Sequence, residues 1–118
     1  MQAILTNVAG VDVHKKVLVI STLIGGPHEE PSIHKLKTNT YTEDLESCGQ
    51  KLKQLGVTHI AMESTGIFWK GVYNVWQRQG FNLTLGNASH MKNVPGRKTD
   101  SVDAEWIGVL HRNGLIRP

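Results

Sequence analysis

The 118-residue sequence holds one cysteine, Cys48, so no disulfide can form within the chain. No stretch approaches the roughly 18 consecutive apolar residues that a membrane helix needs. Met1 to Gly10 lacks the charged start and apolar run of a secretory leader. A cytoplasmic location with no membrane association is therefore expected. The six histidines (His14, His28, His34, His59, His90 and His111) show no His-x-x-x-His spacing, and a lone cysteine cannot complete a structural zinc site. Gly-x-Ser-x-Gly and the P-loop pattern are both missing, as are internal repeats and low-complexity runs. These absences set aside disulfide-stapled scaffolds, zinc modules, α/β-hydrolases and P-loop enzymes.

What is present is one domain's worth of chain, 39% hydrophobic and 19% charged, enough for a single core. Net charge is +3, a mild basic bias that suits solubility as well as nucleic acid. Its distribution says more. From Asn87 to Pro118 the bases Lys92, Arg97, Lys98, Arg112 and Arg117 face only Asp100, Asp103 and Glu105, and Arg97-Lys98 stand just ahead of the Asp100/Asp103 pair.

Apolar periodicity gives the element order. Asn7 to Val13 and Val17 to Ile24 are β-rich and flank a polar break at His14-Lys15-Lys16, the pattern of a hairpin. Ser32 to Lys37 alternates as an exposed third strand does. Thr42 to Leu55 is a helix with Leu45, Cys48, Leu52 and Leu55 on one stripe, Thr42 as its cap and Gly56 as its stop. Cys48 on that stripe reads as core. Val57 to Met62 is a buried strand that delivers Glu63. A helix opens at Ser64-Thr65-Gly66 and runs to Arg78 or Gln79, and Phe81 to Leu85 is a fifth strand. Asn87 to Lys98 reads as a polar loop, and Asp100 to Asn113 as the final helix. Trp69 and Trp76, seven apart, read as core rather than as base-stacking residues. Three strands followed by helix, strand, helix, strand and helix predict a mixed five-stranded sheet with helices on both faces, an α/β layout of RNase H-like type.

Most of the ten acids sit in loops or helix starts, where carboxylates favour the dipole. Four do not. Asp12 and Glu63 each end an apolar strand, where an unpaired carboxylate is costly to bury. If those strands are parallel neighbours, both emerge at the carboxyl edge, where open α/β sheets bind ligands. Asp100 and Asp103 are spaced to share one face of a helix start, with Asp103 heading the apolar stripe of Trp106, Ile107 and Leu110. Simpler roles stay open: Asp12 as a turn acid, Glu63 as a local cap, Asp100 as an N-cap with Asp103 as dipole partner. Four converging carboxylates would repel unless neutralised, and hard divalent cations are the usual partner of an all-oxygen set. Two such ions about 3.5–4 Å apart clamp the attacking and leaving oxygens of a phosphodiester. Backbone N–H groups at Ser64, Thr65 and Gly66, together with Lys15, Lys16, Lys92, Arg97 and Lys98, are candidate phosphate contacts, against plain capping and solvated surface. His14, two residues past Asp12, is a candidate to touch the site or a phosphate.

The motifs Gly10-Val11-Asp12-Val13-His14-Lys15, Met62-Glu63-Ser64-Thr65-Gly66 and Arg97-Lys98-Thr99-Asp100-Ser101-Val102-Asp103-Ala104 resemble the N-terminal domain of the DEDD transposases. These are recombinases of insertion-sequence family one-hundred-ten, related to the Piv DNA invertases. The resemblance spans nearly the whole chain. It implies a RuvC-like fold related to Holliday-junction resolvases, with Asp12, Glu63, Asp100 and Asp103 as the catalytic acids that bind Mg²⁺ (or Mn²⁺). It implies DNA strand cleavage and transfer in transposition, a structured guide RNA and a homo-oligomer. It also implies a helical linker and a C-terminal domain with a serine nucleophile, which residues 1–118 lack. None of Ser21, Ser32, Ser47, Ser64, Ser89 or Ser101 inherits that role, so complete recombination by this piece alone is not expected. The competing readings are a RuvC-like structure-specific endonuclease and a nucleic-acid-binding remnant without chemistry. An actin-like sugar kinase fragment is disfavoured, since no second Gly-rich phosphate loop is present.

Overall fold

A computed structural model describes residues 5–63, 69–87 and 103–116. Three strands come first: β1 (Val8–His14), β2 (Val17–Ile24) and β3 (Ser32–Asn39). Helix α1 (Thr42–Gln54), strand β4 (His59–Glu63), helix α2 (Trp69–Arg78), strand β5 (Asn82–Gly86) and helix α3 (Ala104–Arg112) follow. The sheet order is β3-β2-β1-β4-β5. The first three strands form an antiparallel meander, and β4 and β5 add in parallel beside β1. The expected mixed five-stranded sheet is thus the one observed.

Strand alternation divides the side chains between two cores. Ala9, Val11, Leu18, Ile20, Ile60 and Met62 point to the face covered by α1 and α2, where they meet Leu45, Leu52, Val72 and Trp76. Cys48 is buried in that core, and burial pushes its thiol up to about 11, so it stays a neutral apolar filler. Trp76 is also fully buried, its indole Nε1 donating to the Leu45 carbonyl at 3.0 Å. Trp69 packs at the margin of the same core, edge-on to Tyr73. On the opposite face, α3 lays Trp106, Ile107 and Leu110 against Ala61.

Helix α3 runs antiparallel to β1. Its last residue, Arg112, accepts from the Leu5 N–H at the entry to β1, while its first turn lies over Gly10. A Cβ on Gly10 would collide with the Ala104 carbonyl and the Gly108 backbone, so the helix is seated on the strand main chain to main chain. Arg112, itself buried, donates through Nη2 to the carbonyls of Gly26 (2.6 Å) and Glu29 (3.0 Å), which fastens the β2–β3 connection to the far end of the helix.

Two helix starts differ from the sequence reading. Tyr41, not Thr42, is the N-cap of α1, and it offers no side-chain cap; its own N–H bonds to Asn39 Oδ1 at 3.0 Å instead. The last helix begins at Ala104 rather than Asp100. Asp103 is extended (φ −116°, ψ 175°) and caps it through Oδ1, which accepts the Trp106 N–H at 2.8 Å. A short polar side chain that satisfies an orphan N–H lets the helix start one residue after itself, which apolar spacing alone does not reveal.

Candidate active site

β1 and β4 run parallel, with Val8 opposite His59 and Val11 opposite Met62. One further step of that register sets Asp12 level with Glu63, on strands about 4.8 Å apart. Residues directly opposite point to the same face, and here it is the face of Gly10 and Ala61, the one α3 covers. Because α3 is antiparallel to both strands, its N-terminus lies at their carboxyl ends. Asp103, the residue before that N-terminus, therefore sits beyond Gly10 in the direction of Asp12. Three carboxylates from three separate stretches of sequence thus share one face and one edge.

Their electrostatics agree with that placement. The Asp12 carboxyl titrates above its ordinary value, chiefly because it is partly buried. The charges of Glu63 and Asp103 push in the same direction, while His14 pulls the other way through its charge and a hydrogen bond. That bond joins His14 Nε2 to Asp12 Oδ2 at 2.8 Å, the histidine being mostly exposed and the carboxylate largely covered. Among the described residues no three ligating side chains are gathered into a ready-made metal cage. Asp12 is hydrogen-bonded to His14. The donor set, all carboxylate oxygen, is of the chemistry that a hard divalent ion takes.

The other sequence candidates divide simply. Lys15 is exposed at the tip of the β1–β2 hairpin, with a left-handed φ of 48° that a side chain seldom adopts. Asp100, Ser64, Thr65, Gly66, Lys92, Arg97 and Lys98 lie outside the described residues. Gly10 and Gly108 escaped the sequence reading, although the structure gives them the task of seating α3 and hence Asp103. The available signal was a glycine inside a strand pattern, which marks close backbone approach. His14, a sequence candidate to touch the site or a phosphate, bonds directly to Asp12.

Comparison with known proteins gives two results. A transposase family model, that of the DEDD transposases of insertion-sequence family one-hundred-ten, matches residues 9–118. A solved structure of Thermus thermophilus RuvC superposes with a TM-score of 0.58 at 14% identity, covering 94% of this chain and 84% of that one. The fold is RuvC-like, of the RNase H-like class. No curated protein sequence matches the chain.

Proposed function

The chain belongs to the DEDD transposase family of insertion-sequence one-hundred-ten, and from that premise we propose that it is the DNA-cleaving and strand-transferring domain of a transposase, dependent on Mg²⁺ or Mn²⁺. The observation that carries this reading is the strand register that sets Asp12 level with Glu63, with Asp103 at the N-terminus of α3 on the same face and edge. Asp12, Glu63 and Asp103 hold the cation, with Asp100 as the fourth acid of the family motif. When bound, the cation supplies positive charge to a phosphodiester and to the oxygens that attack and leave it.

The chain's own residues do the rest. Asp12 and Glu63, fixed on rigid strands, set where the scissile phosphate lies. Asp103 ties that position to the N-terminus of α3, whose dipole favours negative charge nearby. His14 keeps the Asp12 carboxylate oriented. Lys15, with Ser64, Thr65, Gly66, Arg97 and Lys98, holds flanking phosphates without reading sequence. Membership implies action as a homo-oligomer, with a structured guide RNA supplying target choice. No described helix is long and apolar enough to cross a membrane.

Mn²⁺ binding tests the reading without requiring the full reaction. Titration of the 118-residue chain, followed by the loss of the free-ion paramagnetic signal, should show binding that Asp12→Asn and Glu63→Gln each weaken at least tenfold. Unchanged binding in both variants would sink the assignment of these acids.

A further inference from the structure

The register across the sheet aligns more than the acids. Asp12 pairs with Val19, and Val19 with Lys37. Gly10 pairs with Ser21, and Ser21 with Lys35. Lys35 and Lys37 therefore share the sheet face of the carboxylates, two strands or about 10 Å away. Helix α3 lies over β1, β2 and β4, and both lysines are exposed on the edge strand. Val17 and Ile33 are exposed as well, at 48% and 42%. Neither lysine is in an ion pair among the described residues.

We propose that Lys35 and Lys37 form a phosphate track that carries the DNA strand away from the carboxylate edge, across β2 and toward the β3 margin. The inference rests on the function proposed above. The occupant is the substrate strand because the track and the acids lie on one continuous face. An anionic backbone that passes the N-terminal end of α3 over half-buried Val19 meets two like-signed cations about 7 Å apart along the exposed edge strand. Lysine contacts of this kind fix position and add affinity without sequence preference.

The edge position offers a competing role, since lysines on edge strands also block unwanted strand pairing. The test separates the two. Affinity of the 118-residue chain for a fluorescent DNA oligonucleotide is measured between 50 and 200 mM KCl, beside an RNA of equal length. The variants are Lys35→Gln/Lys37→Gln and Lys35→Arg/Lys37→Arg, and each is also tested for Mn²⁺ binding and oligomeric state. The glutamine variant should lose about 1.5 from the slope of log K against log salt, at roughly 0.7–0.9 per phosphate contact. The arginine variant should restore that slope, and Mn²⁺ binding should be the same in all three proteins. A wild-type DNA slope in the glutamine variant overturns the track, with or without new oligomers. So does a loss confined to RNA, and so does failure of the wild-type chain to bind DNA. Absence of Mn²⁺ binding in the wild-type chain counts against the acid site alone, leaving the slope to judge the lysines.

Discussion

His111 lies on the inner side of α3 with 6% of its surface exposed, and among the described residues its Nε2 has no hydrogen-bond partner. Burial, with the His59 ring 6.2 Å away adding to it, lowers its pKa from 6.5 to about 4. The unfolded chain takes up this proton near pH 6.5, and the folded chain only near pH 4. Stability is therefore fully present above pH 6.5 and declines as the pH falls toward 4, by up to about 3 kcal/mol from this group. Urea melts at steps between pH 7 and pH 4 should show that decline, and His111→Phe should flatten it. His111 carries no pattern that distinguishes it from a surface histidine, and its burial follows only from which way α3 turns on the sheet.

The elements were legible where apolar residues repeat. The β-rich apolar run Val17–Ile24 and the stripe Leu45, Cys48, Leu52 marked the type and nearly the bounds of β2 and α1, because burial is what both patterns record. Caps were less legible, since Thr42 and Tyr41 compete for one position and only the local backbone chooses between them. Register was not legible at all: nothing in either strand states that Val11 lies opposite Met62, although that alignment sets Asp12 beside Glu63. The seat of α3 was hidden for a related reason, since glycine contributes no side chain to any period. A methyl group at Gly10 meets α3 backbone, which cannot swing aside as a side chain does. Gly10→Ala should therefore destabilise the chain by about 1–3 kcal/mol or more. Because the helix must lift, Mn²⁺ affinity should fall as well, although no carboxylate has been touched. A thermal melt and the Mn²⁺ titration read the two effects separately; a destabilised chain with unchanged Mn²⁺ affinity would show that Asp103 does not depend on this contact.

At the scale of the whole molecule, the carboxylate edge is a place where stability is conceded to chemistry. Asp12 is held partly buried beside Glu63 and Asp103, so its negative charge disfavours the folded state when no cation is present. Asp12→Asn should raise the melting temperature by about 2–4 °C in EDTA, a small electrostatic relief spread over a chain of this size. Mg²⁺ should reverse the order. A ligand at 100 times its dissociation constant stabilises the native state by about 2.7 kcal/mol, which the wild-type chain gains and the variant does not. Equal melting temperatures with and without Mg²⁺ in the wild-type chain would remove the cation from this edge.

The direct seating of Gly108 on Gly10 has a consequence for divergence. Core side chains elsewhere fill space between elements, so substitutions there alter how far apart those elements stand. Between α3 and β1 no such spacer exists at the point nearest the acids, and the interval is set by main-chain atoms that every amino acid shares. Related sequences are then at liberty to exchange most of their interior while the stretch carrying Asp103 keeps its station above the strand that carries Asp12.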